Sequence, residues 1–324
     1  MADSNQSPVA GSPAGRVIGN DIAFIFPGQG SQAVGMGRDL AAESRAARQV
    51  FDEVDEALKR PLSKIMFEGP EADLVQTENA QPAIMAVSLA AHAAMAEVLG
   101  RKPVPGMVAG HSLGEYSALA IAGVLSVTDT ARLVVARGRL MQEACHLRPG
   151  GMAALIGIEE AAAEDICLQT GTYISNINSA DQIIIAGDHD SLARAVQLAA
   201  ARGARKAIPL SVGGAFHSGL MEPAQDGLNE MIESTPFDDP SIPIVGNCDA
   251  LPLRTAGEVR AELRKQLMTC VQWKRSINYM VGSGVKRFVE IGPGRVLTGL
   301  VKRIDATAEL LNVNSMAAAR GLTA

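Results

Sequence analysis

Between residues 22 and 303 short β-rich runs alternate with longer helical patterns, and that alternation limits the possible folds more than any other feature. The β-rich runs fall at 22–26, 106–111, 153–158, 173–178, 182–187, 205–210, 242–247 and 287–292. Helical patterns fill 38–60, 82–100, 115–124, 128–146, 159–170, 189–202, 219–234, 257–268, 273–283 and 295–303. Strands separated by helices imply a largely parallel sheet covered on both faces. One region departs from this. From about 150 to 211 the order is β-α-β-β-α-β, with "NSADQ" as a hairpin turn between the middle strands. That is the split-βαβ, ferredoxin-like order. It is expected as an inserted subdomain, 148–211, within an α/β host formed by 21–147 and 212–324.

Residues 1–20 are small and polar with no continuous apolar segment, and are expected as a disordered leader rather than a signal peptide. The longest apolar run, "PAIMAVSLAAHAAMAEVLG", is interrupted by Ser88 and His92, which fits a buried core helix rather than a membrane span. A net charge of −6 argues against nucleic acid as a partner. Cys145, Cys167, Cys248 and Cys270 show no C-x-x-C or Cys/His zinc spacing. They are expected as reduced thiols of a cytoplasmic protein, with no metal site.

The sharpest chemical signal is "VAGHSLGEYSALAIAG". Gly110-His111-Ser112-Leu113-Gly114 is G-x-S-x-G, after a strand and before a small-residue helix, which is the setting of a nucleophile elbow. Ser112 would then stand at a helix N-terminus, where backbone N–H groups favour developing negative charge. A serine nucleophile needs a base. His111 adjoins Ser112 on the incoming strand and is aimed to the other face. His92 sits in an Ala-rich helix, His146 at an element end and His189 in a polar turn. His217, in "SVGGAFHSGLMEP", opens a helix where the insert returns to the host, and is the expected partner.

"GQGSQA", from Gly28, fits the dinucleotide fingerprint G-x-G-x-x-G/A by letter only. The acids some twenty residues on, Asp52 and Glu53, lie inside a helical pattern with no second strand before them. An acyl-transfer site offers the other use for such a loop. The N–H groups of Gln29 and Leu113 would form an oxyanion hole. In "TARLVVARGRLMQEA", Arg137 lies on an apolar stripe with Leu133, Leu140 and Met141, whereas Arg139 faces Glu143. A buried arginine needs an anionic partner, either a distant Asp or Glu of this chain or a carboxylate on a substrate.

Taken in order, "FPGQGSQ", "NAQPAI", "GHSLGEY", "RGRLMQEA", "SVGGAFHSGLMEP", "VQW" and "EIGPGRVLTGL" resemble the malonyl-CoA:acyl carrier protein transacylase family and the related polyketide synthase acyltransferase domains. The resemblance runs over nearly the whole chain after the leader. It implies an α/β-hydrolase-like host with a ferredoxin-like insert. It implies Ser112 as the acylated residue, His217 as base, and Gln29 and Leu113 as the oxyanion hole. Arg137 would bind the malonyl carboxylate, and the main-chain carbonyl of Gln266 would orient the histidine. Gln81, Met141 and Phe216 would line the pocket, with Phe216 before His217 resembling the malonyl-selecting form. The substrates implied are malonyl-CoA and phosphopantetheinylated acyl carrier protein, with no cofactor. Arg202, Arg205 and Lys206, and Lys302 with Arg303, are docking patches for an acidic carrier or simply solvated surface. A serine hydrolase would share Ser112 and His217 without needing Arg137. A non-catalytic carrier-binding subunit would need none of the three.

Overall fold

The structure, a computed structural model, describes residues 17–323. The expected leader lies outside them except for its last four residues, and there the boundary moves. Val17 is buried and the first strand begins at Gly19, because the polar Asn20 and Asp21 sit on its exposed start. The described strands are β1 (Gly19–Phe26), β2 (Pro105–Gly110), β3 (Gly151–Ile156), β4 (Tyr173–Ser179), β5 (Gln182–Gly187), β6 (Lys206–Pro209), β7 (Ile244–Val245), β8 (Pro252–Leu253), β9 (Arg287–Ile291) and β10 (Glu309–Val313). The helices are α1 (Arg38–Glu43), α2 (Arg45–Leu58), α3 (Leu62–Glu68), α4 (Glu71–Leu74), α5 (Thr77–Leu99), α6 (Gly114–Ile121), α7 (Val127–Leu147), α8 (Glu160–Thr170), α9 (His189–Ala201), α10 (Glu222–Ser234), α11 (Ala256–Gln266), α12 (Trp273–Gly282), α13 (Val296–Ile304) and α14 (Met316–Arg320).

Two sheets result. The larger has the order β10-β9-β1-β2-β7-β8 and is parallel apart from β8. The smaller, β4-β5-β3-β6, is antiparallel throughout. Side chains alternate across β1. Ile22, Phe24 and Phe26 enter a large core shared with α2, α5 and α7, while Ala23 and Ile25 enter a second core with α12 and α13. Ala153 and Leu155 of β3 pack under α8 and α9, and Met152 and Ala154 turn to the larger core. The smaller sheet is moored through β4. Ile177 N donates to Val271 O at 2.9 Å, and Val271 N donates to Ser175 O at 2.9 Å. This mooring carries the face bearing Met152 and Ala154 over the end of β2.

Some expectations change locally. The helical pattern 38–60 is broken at Ser44, whose side chain accepts from Ala47 N and caps α2. The helix expected from Pro82 starts at Thr77, with Pro82 inside it. Helix α5 is long and apolar enough to cross a membrane, but its most apolar window is 72% buried inside the molecule. The strand expected at 242–247 shrinks to the two residues of β7. Edge strand β10 was not expected, because its partly exposed residues show no clean alternation.

Trp273, the single tryptophan, is fully buried against the second face of the sheet and stacks edge-on to His111 at 5.5 Å. Trp273→Ala should cost about 3–5 kcal/mol in unfolding free energy, measured by denaturant titration with circular dichroism.

Candidate active site

Strand β2 ends at Gly110 and helix α6 begins at Gly114, leaving three residues for a sharp turn. A Cβ on Gly110 would lie 1.9 Å from the Gly114 carbonyl carbon, and one on Gly114 would lie 2.0 Å from Phe26 O. Only glycine fits at either place. Between them Ser112 takes φ 52°, in the left-handed region that costs a non-glycine residue on the order of 1–3 kcal/mol. Its N–H donates to Asn247 Oδ1 at 2.7 Å, and Asn247 Nδ2 donates to Gly110 O at 2.7 Å.

The turn raises Ser112 Oγ to 2.7 Å from His217 Nε2. His217 Nδ1 stands 2.8 Å from the main-chain carbonyl of Gln266. A carbonyl only accepts, so Nδ1 carries the proton and Nε2 presents its lone pair to the serine. Burial, and then the guanidinium of Arg137, push His217 down to about 3. It is therefore neutral at pH 7. Two of the other histidines are engaged elsewhere. His111 Nε2 lies 2.9 Å from Asn178 Oδ1 of β4, and His92 packs edge-on to Phe24 with burial pushing it to about 4.

The loop after β1 meets the elbow closely. A Cβ on Gly28 would fall 2.5 Å from His111 O, and Gly30 takes φ +98°. These are the reasons for its glycines, and the next strand in sequence, β2, comes only after the five helices α1 to α5. Among the described residues, neither Gln29 N–H nor Leu113 N–H donates to a protein acceptor. Both residues line the same cleft as Ser112 and His217.

Arg137 is 1% exposed. Its Nη1 donates to Gln81 Oε1 at 2.7 Å, and its Nη2 to Gln266 Oε1 at 3.0 Å and Ser112 Oγ at 3.3 Å. Among the described residues no carboxylate comes within 4.0 Å of it, so the internal ion pair weighed from the sequence does not form. Arg139 does pair with Glu143, at 3.1 Å.

These groups meet in a cleft of about 270 Å³ between the two sheets. Met141 and Phe216 line it, as expected. Gln81 does not. It is fully buried behind Arg137, with its amide nitrogen 3.2 Å from Met141 Sδ. A more open groove of about 720 Å³ beside α8 holds Cys167, Cys248 and Cys270 and none of these groups. Burial pushes those thiols up, Cys270 to about 12.

Sequence reasoning missed Asn247 and Glu115. Glu115 is fully buried, accepting from Asn247 N at 3.1 Å and from Gln266 Nε2 at 2.5 Å. Burial first, and then the neighbouring Glu262, push its carboxyl well above the usual range. The signal was present, since Glu115 is a charge in an otherwise small and apolar helix of the serine motif.

His217 and His92 set a pH dependence of stability. Both are neutral when folded and titrate near 6.5 when unfolded, so the unfolded chain binds more protons between their folded values and 6.5. Stability should fall as pH drops below 6.5. His217→Gln should flatten that slope by about 1.4 kcal/mol per pH unit, read from denaturant midpoints between pH 4.5 and 6.

Comparison with known proteins places this geometry. The acyl transferase domain family matches residues 23–319. The malonyl CoA-acyl carrier protein transacylase of Escherichia coli K12 is 42% identical over 304 residues, covering 92% of this chain and 98% of that protein. The crystal structure of an acyl-carrier-protein S-malonyltransferase from Bartonella henselae superposes with TM-score 0.88 at 41% identity, covering 93% of this chain and 97% of that one. A malonyl-transacylase in complex with a type II PKS acyl-carrier protein superposes with TM-score 0.89 at 38% identity, covering 94% and 99%.

Proposed function

The chain belongs to the acyl transferase family, and from that premise we propose that it moves a malonyl group from malonyl-CoA to the phosphopantetheine thiol of acyl carrier protein. The product is a chain-extension unit for fatty acid or polyketide synthesis. The observation that carries this reading is the buried guanidinium of Arg137, with no directly paired carboxylate among the described residues and Nη2 3.3 Å from Ser112 Oγ. A buried charge without a directly paired counter-ion is costly, and a carboxylate on the acyl group would supply that pairing.

In this reading the neutral Nε2 of His217 takes the proton of Ser112 as Oγ attacks the thioester carbonyl. The negative charge on the carbonyl oxygen collects between the N–H groups of Gln29 and Leu113. Collapse of the tetrahedral intermediate breaks the carbon–sulfur bond. The coenzyme A thiol leaves with the proton from His217, and a malonyl ester of Ser112 remains. The carrier's thiol then repeats the sequence in reverse, with His217 again as base. The Gln266 carbonyl holds the imidazole in one tautomer throughout, at 2.8 Å from Nδ1. Apart from the protons carried by His217, every bond made or broken joins the acyl carbon to oxygen or sulfur, and this reading assigns no step to a metal or redox group. A hydrolase would share the serine and histidine but has no use for Arg137.

The same reading covers the architecture. The larger sheet with its serine turn is taken as an α/β-hydrolase-like host of residues 17–147 and 212–323. The order β4-β5-β3-β6 supports a ferredoxin-like insert at 148–211. We place the protein in the cytoplasm, where malonyl-CoA and acyl carrier protein are both available.

Arg137→Ala tests the substrate. Truncating one partner of a buried charge pair costs roughly 2–5 kcal/mol. Malonyl transfer should therefore fall by about one to three orders of magnitude, at about 1.4 kcal/mol per tenfold. Acetyl transfer should fall far less, because acetyl has no carboxylate. An unchanged malonyl-to-acetyl ratio would show that the carboxylate is held elsewhere.

A further inference from the structure

Ser112 is held in its left-handed conformation by side chains far away in sequence. Asn247 bridges Ser112 N and Gly110 O, both at 2.7 Å, and Gln266 Nε2 donates to Ser112 O at 3.0 Å. Both of these residues rest on one buried side chain. Glu115 Oε1 accepts from the main-chain N–H of Asn247 at 3.1 Å, and Oε2 accepts from Gln266 Nε2 at 2.5 Å. No Lys, Arg or His nitrogen comes within 4.0 Å of Glu115 among the described residues. A core position with only a packing role would carry an apolar residue, since an unpaired buried carboxyl is expensive.

The direction of these bonds matters more than their number. The Gln266 amide has two unlike ends. Both Glu115 oxygens accept here, Oε1 from Asn247 N and Oε2 from Gln266 Nε2, so Glu115 draws the NH₂ end toward itself and the Ser112 carbonyl. The oxygen end is left facing Arg137, whose Nη2 donates to it at 3.0 Å. Were the amide turned over, its oxygen would face two acceptors and its NH₂ would face a guanidinium. The orientation of one amide therefore sets where Arg137 Nη2 points, 3.3 Å from Ser112 Oγ.

We propose that Glu115 is a positioning residue for acyl transfer, fixing the Gln266 amide so that Arg137 is aimed at the acyl carboxylate, and seating Asn247 on the serine turn. This rests on the reading of the site as a malonyl transferase. It assigns Gln266 a side-chain role separate from its carbonyl, which serves His217. The network has two arms, and they separate experimentally. The arm through Gln266 and Arg137 governs which acyl group is accepted. The arm through Asn247 governs the serine turn, and hence the rate with any acyl group.

The test is acylation by malonyl-CoA and by acetyl-CoA, with rates normalised to active sites counted from covalent adduct per chain by intact mass. Glu115→Gln keeps the shape but replaces one acceptor oxygen with a donor. Its malonyl rate should fall by about 10²-fold, the scale of a misplaced site. Its malonyl-to-acetyl ratio should fall with it, which a loss of folded protein would not produce. Gln266→Met keeps the main-chain carbonyl and should lower the ratio in the same way. Asn247→Ala should slow both substrates alike and leave the ratio in place. Wild-type rate and ratio in Glu115→Gln would overturn the proposal. So would a lowered ratio in Gln266→Met with an unchanged one in Glu115→Gln, because the carboxylate would then not orient the amide. Should Glu115→Gln fail to fold, an unchanged ratio in Gln266→Met overturns it alone. Wild-type protein that takes no malonyl group would instead refute the transferase reading itself.

Discussion

Everything at the site depends on one strained residue, Ser112 at φ 52° between two glycines that no other residue can replace. Left-handed backbone at a non-glycine residue persists only where its surroundings over-determine it. Here the surroundings are the flanking strand and helix and two residues far away in the chain. Strand β2 delivers the turn, helix α6 receives it, and Asn247 and Gln266 tie its N–H and carbonyl. The strain lifts the serine oxygen out of the sheet and leaves the next N–H, that of Leu113, without a protein acceptor. In the proposed mechanism the geometry that exposes the serine also frees a donor beside it.

The electrostatics follow from burial. A histidine held to about 3 by burial and by Arg137 stays neutral and able to accept a proton. Arg137 contributes to that depression, so bringing a carboxylate to Arg137 removes part of the unfavourable field at His217. Binding of an acidic acyl group would thus raise the basicity of the group that has to act on it. An acyl group without a carboxylate would meet a weaker base. In the proposed mechanism selectivity and catalysis are linked through a single guanidinium, and Gln81 and Gln266 hold it without neutralising it, because an amide donates and accepts but carries no charge.

The sequence was most legible where backbone sterics decide the outcome. Gly110, Ser112 and Gly114 declare an elbow because few other local structures require that pattern. The β-α-β-β-α-β order declares a second sheet because hairpin and crossover lengths differ. His217 was reachable by elimination, and Arg137 by its place on an apolar stripe. The failures share a different cause. Glu115 and Asn247 act through partners 151 and 135 residues away, which no local pattern encodes. Gln81 was placed in the pocket wall, yet it stands behind Arg137, a difference of depth within one helix that spacing does not resolve. Strand β10 was missed because an edge strand, half exposed, lacks the alternation by which buried strands are recognised.

The central claim is that a strained serine and a neutral histidine pass an acidic acyl group through a covalent ester. The most direct measurement is peptide mapping by mass spectrometry after brief incubation with malonyl-CoA, followed by addition of phosphopantetheinylated carrier protein. The account predicts one malonyl group on the peptide carrying Ser112, absent from Ser112→Ala and discharged to the carrier thiol. A malonyl group on any other residue, or an unmodified Ser112 in protein that still transfers malonyl, would contradict it.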